Sequence, residues 1–133
     1  MHTINNLPKI SISHLGNAHS DWLRALDFYK LETVILKERL TEIAGKNTGA
    51  EVMKEVEHFE NQFKIQGDNI DRLRHEIHVN LASISREAQR SSAGYIDGIL
   101  LVQHNNLKER YEAEEKIFNE LRRDFNKFAS AMM

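Results

Sequence analysis

Apolar residues recur along this chain at alternating steps of four and three, over three long stretches that are separated by short polar breaks. This spacing places the apolar side chains on one stripe of an α-helix and is typical of coiled coils. The first stretch predicts a helix over residues 18–44, with Asn17 or Ser20 as its amino-terminal cap and Gly45 just after its end. Its stripe has seven members: Trp22, Leu26, Tyr29, Thr33, Leu36, Leu40 and Ile43.

Two further stretches have the same spacing and predict helices over residues 49–90 and 93–131. Each stripe contains two polar residues among its apolar ones. The second stripe is Val52, Val56, Phe59, Phe63, Gln66, Ile70, Leu73, Ile77, Asn80 and Ile84. The third stripe is Leu100, His104, Leu107, Tyr111, Glu114, Phe118, Leu121, Phe125, Phe128 and Met132.

The break between the second and third helices fixes how these two helices pair. A turn centred on Ser92, within Ser91–Gly94, makes the numbers of facing residues add up to 184. This register places Asn80 opposite His104, and we expect this buried polar pair to be hydrogen-bonded or bridged by water. Because polar residues in such a seam usually cost stability, Asn80→Leu should leave stability unchanged or raise it. A turn at Asp97–Gly98 is the alternative, and it would separate the pair.

The first helix is predicted to run antiparallel to the second, with the hydroxyl of Tyr29 beside the amide of Gln66. The expected fold is therefore all-α: an elongated antiparallel three-helix bundle over residues 17–133, preceded by an N-terminal arm over residues 1–16. The first helix is about 20 Å shorter than the other two at 1.5 Å per residue. Either the arm or a partner chain should cover the core that it leaves open, around Ile77 and Leu100.

The first helix has a second apolar surface, formed by Phe28, Leu31 and Ile35. At 100° per residue these side chains point almost opposite to the stripe, where the bundle offers no cover. We expect them to form a self-association patch, used in a homodimer whose first helices cross near Leu31 or in contact with another helical protein. The alternative is that the arm folds back over them.

Composition narrows the possible functions. The 133 residues include 18 basic and 20 acidic ones, for a net charge of −2, and no cysteine. Interspersed charges of both signs argue against nucleic-acid binding and against binding at a membrane surface. The longest unbroken apolar stretch is Ile99-Leu100-Leu101-Val102, which is far shorter than the roughly 20 residues of a membrane-spanning helix. We expect a cytoplasmic protein without a cofactor.

Seven histidines are the only feature that suggests a chemical site. Five of them fall at the same end of the predicted bundle: His14, His19, His75, His78 and His104. His19 and His104 are in phase with the stripes and could point inward beside Asn80, so these three residues are candidate metal ligands. The alternative is that the histidines are neutral and lie on helix surfaces or at the edge of the core.

No catalytic motif is recognisable in the sequence. It lacks a glycine-rich phosphate loop, a nucleophile elbow and a His-Glu-x-x-His motif. The sequence therefore favours a non-enzymatic structural or protein-interaction module that self-associates. The alternative is a helical bundle that binds a metal or small ligand at its histidine-rich end.

Overall fold

The computed structural model describes residues 12–90 and 98–132 as three long helices: α1 (Ile12–Lys46), α2 (Ala50–Arg90) and α3 (Gly98–Ala131). The described residues contain no strand, so the prediction of an all-α three-helix bundle is confirmed. The predicted turn at Ser92, its alternative at Asp97 and residues 93–97 of the predicted third helix lie outside the described residues.

Helix α1 begins at Ile12, six residues before the predicted start. Residues 12–16, which we placed in the arm, are helical and belong to α1, while residues 1–11 lie outside the described part of the chain. The physical reason is that the stripe continues upstream, since His19 precedes Trp22 by three residues and Leu15 precedes His19 by four. Both Leu15 and His19 are fully buried, and their burial offsets the roughly 1 kcal/mol that Gly16 costs inside a helix.

Because α1 is longer than predicted, it covers more of the core that the predicted first helix left open. At 1.5 Å per residue α1 is about 52 Å long, against about 62 Å for α2 and 51 Å for α3. Ile77 and Ile84, which we expected to need cover from an arm or a partner, are buried within the described chain, and Leu100 is half-buried.

Helix α2 packs against both of the other helices. Its buried residues are nine of the ten predicted stripe positions, and Val52 at its amino-terminal end is half-buried. The rings of Phe59 and Phe125 lie with their centroids 5.3 Å apart, and their residue numbers add up to the predicted 184. Asn80 reaches Gln103, one residue from the predicted His104.

The buried face of α3 departs from the predicted stripe at both ends. Leu101 is buried where we expected Leu100, and Ala129 is buried where we expected Phe128 and Met132, which are half-buried. A straight helix has 3.6 residues per turn, so toward its C-terminus the buried face moves to later residues than a stripe of strict 3.5-residue period predicts, which accounts for Ala129. This drift does not explain the burial of Leu101 in place of Leu100.

Ion pairs and aromatic contacts join the helices around this core. Lys30 and Arg74 link α1 to α2 through Asp71 and Asp27. Arg122 of α3 forms a two-pronged pair with Glu32 of α1, and its guanidinium lies over the rings of Tyr29 and Phe118. No helix among the described residues has a stretch that is long and apolar enough to cross a membrane.

Candidate functional site

Four apolar side chains on the outer face of α1 are at least half exposed. Their exposed fractions are 57% for Phe28, 61% for Leu31, 52% for Val34 and 50% for Ile35. We call these four residues the α1 patch. The seven stripe residues of the same helix are all buried, so the structure places Phe28, Leu31 and Ile35 on the side of α1 that faces away from the bundle. The sequence analysis missed Val34, although it lies three residues from Leu31 and so on a neighbouring position of the helix.

A shallow cleft of about 290 Å³ lies within the α1 patch, between α1 and α3. Phe28, Leu31 and Ile35 line it, and Arg39, which donates a hydrogen bond to Asn126, stands at its edge. The cleft therefore combines apolar side chains of α1 with the polar side chains of Glu32, Arg39 and Asn126. Such a depression can accept an apolar side chain from a second protein surface.

A buried polar layer joins the three helices near the amino-terminal end of α1. His19 Nδ1 lies 2.7 Å from the carbonyl oxygen of Leu15, and His19 Nε2 lies 2.8 Å from Oδ1 of Asn80. Asn80 Nδ2 in turn donates a long hydrogen bond of 3.4 Å to Gln103 Oε1. Because a carbonyl only accepts, His19 Nδ1 carries a proton, and the amide of Asn80 is the partner of the other ring nitrogen.

His104 completes this layer through ring contacts. Its ring stacks on Trp22 with a centroid distance of 4.9 Å, and its centroid lies 4.9 Å from that of His19. His104 Nδ1 is buried and has no hydrogen-bond partner in the described chain. Burial, together with the nearby His19, His14 and Lys108, lowers the pKa of His104 to about 4. The three candidate residues His19, Asn80 and His104 thus share one layer, with His19 in contact with both of the others.

The geometry of this layer gives no support to the metal site. Within residues 12–90 and 98–132, no group of three or more histidines, aspartates or glutamates is arranged to hold a metal ion. Both ring nitrogens of His19 already have partners in the chain. His14, His75 and His78 belong to the same end of the bundle but are exposed on the helix surfaces.

A second buried polar layer lies in the middle of the bundle. The Gln66 amide, turned so that its nitrogen faces the carboxylate, donates to Glu114 Oε2 at 2.7 Å. Burial raises the pKa of Glu114 to about 7. The predicted contact between Tyr29 and Gln66 is wrong, because the hydroxyl of Tyr29 donates instead to Glu115, at 3.2 Å.

Glu115 also accepts a hydrogen bond of 2.9 Å from the hydroxyl of Tyr111, so one carboxylate satisfies both tyrosines. Burial raises the pKa of both tyrosines, and the adjacent Glu115 raises it further. The sequence analysis did not find this role for Glu115, which lies one position outside the stripe of α3. Its only signal in the sequence is the spacing of four residues from Tyr111, which places the two side chains on one helix face.

A cleft that bears on the small-ligand alternative lies between α2 and α3, with a volume of about 410 Å³. Asn80, Gln103 and Asn106 contribute amides to its lining, and the ion pair between Arg110 and Glu76 stands beside them. Because these two charges satisfy each other, the cleft offers no unpaired charge from this pair to bind a ligand.

Comparisons of the chain with protein-family models, with curated proteins and with solved structures found no match.

Proposed function

We propose that this chain is a non-enzymatic protein-interaction module that associates with a second copy of itself through the α1 patch. The observation that carries the proposal is the set of four apolar side chains on α1, each at least half exposed although the rest of the bundle has a buried core. Isolated apolar residues are common on protein surfaces, but a contiguous group at helical spacing is typical of an interaction site.

The polar layers support a structural role rather than a catalytic one. The carboxylate of Glu114 faces the amide of Gln66, and the carboxylate of Glu115 is occupied by two tyrosine hydroxyls. General acid–base catalysis needs a titrating group within reach of a bound substrate. These carboxylates instead hold neighbouring helices together, which is what a rigid interaction module requires.

A second copy is the partner that fits the patch with the fewest assumptions. The patch lies near the middle of α1, so a two-fold axis through Leu31 brings it onto itself. The apolar side chains of one copy then cover those of the other, and the cleft beside Leu31 and Ile35 is closed in both copies. Complete burial of such a side chain contributes about 1.5–3 kcal/mol, and the exposed half of each one is available for this.

The experiment compares two substitutions of the same kind by size-exclusion chromatography with light scattering. Leu31→Glu places a charge in the patch, whereas Val102→Glu places one at a residue of α3 that is exposed to a similar extent, 59%. We expect Leu31→Glu to yield monomers at micromolar concentration and Val102→Glu to leave the dimer intact. Circular dichroism of both variants checks that the helices remain folded.

Two results would overturn the proposal. One is a native chain that is monomeric at every concentration tested. The other is a dimer that Leu31→Glu leaves intact while the variant remains folded, because the interface would then lie elsewhere.

A further inference from the structure

Two oppositely charged residues flank the α1 patch, at equal distances from Leu31 along the sequence. Arg24 precedes Leu31 by seven residues and Glu38 follows it by seven, and both are exposed. Seven residues at 100° per residue come within 20° of two full turns, so both side chains lie on the same face of α1 as Leu31. The centre of this face is therefore apolar, with Arg24 on its amino-terminal side and Glu38 on its carboxy-terminal side.

From this arrangement we propose that the two copies pair antiparallel along α1, with Leu31 on the two-fold axis and Arg24 of each copy facing Glu38 of the other. The inference rests on the proposed function, and it adds the direction of pairing and the two residues that determine it. An isologous interface repeats each contact twice, so one pair of residue types gives two ion pairs per dimer.

The charges disfavour the parallel arrangement. If the two α1 helices ran in the same direction and in register, Arg24 would face Arg24 and Glu38 would face Glu38 across the interface. Like charges opposite one another across an interface destabilise it strongly. The antiparallel arrangement turns both contacts into attractive ones and brings Phe28 of each copy beside Ile35 of the other, so that apolar side chains meet on the flank of the seam.

The contacts that Arg24 makes within its own copy are compatible with this pairing. Arg24 Nη2 lies 2.6 Å from Asp21 Oδ1, and both side chains are more than two-thirds exposed. A guanidinium has five donors, so Arg24 can keep this bond and also bind a carboxylate of the other copy. Asp27, which also borders the patch, is already paired with Arg74 of α2.

The first test is a charge exchange measured by sedimentation equilibrium. Arg24→Glu alone places acidic residues opposite Glu38, and Glu38→Arg alone places basic residues opposite Arg24, so each should weaken dimerisation about tenfold or more. The double variant Arg24→Glu/Glu38→Arg should restore the dissociation constant to within about threefold of the native value. Lys54→Glu, a charge reversal at an exposed position of α2, is the matched control and should change dimerisation little.

The second test uses the absence of cysteine from the native chain, which makes any introduced thiol the only one present. Helices pack with their axes about 8–10 Å apart, so facing residues come within the separation that a disulfide spans. Mixing an Arg24→Cys variant with a Glu38→Cys variant under mild oxidation should give the mixed disulfide dimer. Neither variant alone should give its own disulfide dimer at a comparable rate.

These outcomes separate the inference from the proposed function. A native dimer that Leu31→Glu dissociates, but whose single charge reversals are not rescued by the double variant, would overturn the antiparallel pairing and leave self-association through the patch intact. Rapid formation of a disulfide dimer by the Arg24→Cys variant alone would show parallel pairing. This result would also overturn the antiparallel pairing and leave self-association through the patch intact. A monomeric native chain would overturn both.

Discussion

Two buried ionisable residues, His104 and Glu114, give the stability of this bundle opposite dependences on pH. The pKa of His104 is lowered to about 4, so its contribution to stability is lost as the pH falls from about 6.5 to 4. The pKa of Glu114 is raised to about 7, so its contribution is present below about pH 4.5 and is lost as the pH rises through 7. In the native chain the two effects offset each other where the two pH ranges overlap, between about pH 4.5 and 6.5.

Single substitutions should therefore reveal the two opposite pH dependences, which offset each other in the native chain. Relative to the native chain, Glu114→Gln should gain stability as the pH rises from 4.5 to 7, because it removes the carboxylate that burial disfavours. His104→Phe should gain relative stability as the pH falls from 6.5 to 4. We expect each change to be about 1–3 kcal/mol across its range, measured as the free energy of unfolding in urea.

Relative stabilities that do not vary with pH would show that His104 and Glu114 titrate normally. His78→Phe serves as a control, because it makes the same substitution at an exposed position of α2.

The hydrogen bond between His19 and Asn80 reverses what the sequence suggested for Asn80→Leu. Considered only as a polar residue in an apolar seam, Asn80 could be replaced by leucine without loss. In the structure its amide is the partner of the buried Nε2 of His19, so leucine leaves that nitrogen unsatisfied. We expect Asn80→Leu to lower the free energy of unfolding by about 1–3 kcal/mol.

The double variant His19→Leu/Asn80→Leu should recover part of this loss, because it removes both polar partners together. Asn105→Leu, at an exposed position of α3, is the control. An Asn80→Leu protein as stable as the native chain would mean that this hydrogen bond contributes nothing in solution.

The polar layers show what the sequence can and cannot predict about individual residues. The heptad phase predicted that His19, Asn80 and His104 face inward, and the register set by the turns placed them at one end of the bundle. It could not predict their chemistry, because a shift of one residue decides whether Asn80 meets His104 or Gln103. The partners of Tyr29 and Gln66 were missed for the same reason, since Glu114 and Glu115 are adjacent in the sequence but face different neighbours.

At the level of the helices, Gly67 is the clearest local weakness. It lies inside α2, and a Cβ added there would have no atom within 4 Å. Glycine in a helix interior costs about 0.5–1 kcal/mol relative to alanine because the unfolded chain has more conformational freedom. Gly67→Ala should therefore raise the free energy of unfolding by about that amount in a urea titration. A decrease would mean that α2 bends or is approached closely at this residue.

The periodicity of the stripes predicted the buried faces well and the helix ends poorly. All seven predicted residues of the α1 stripe are buried, because a 4,3 spacing over seven positions has few competing interpretations. The start of α1 was misplaced because Gly16 and the low charge of residues 1–16 resemble a boundary. His19 was recognised as in phase with the stripe, and it is fully buried, but the stripe was not followed from it upstream to Leu15.

At the level of the whole molecule, α1 has four large apolar side chains that are at least half exposed within eight residues, whereas α2 and α3 expose such side chains singly or in smaller groups. One face packs on α2 and α3, and the other carries the α1 patch. A helix that is apolar on two faces requires cover on both, and the described chain covers only one. The account therefore depends on whether a second copy supplies the missing cover.

The mass of the native protein in solution tests most directly whether a second copy covers the α1 patch. Sedimentation equilibrium over a range of micromolar concentrations should give a mass that rises from that of the 15.5 kDa chain toward twice that value. Because the apolar area is modest, we expect dissociation at the low end of this range. A mass of 15.5 kDa at every concentration would contradict the account, because the α1 patch would then remain exposed to water.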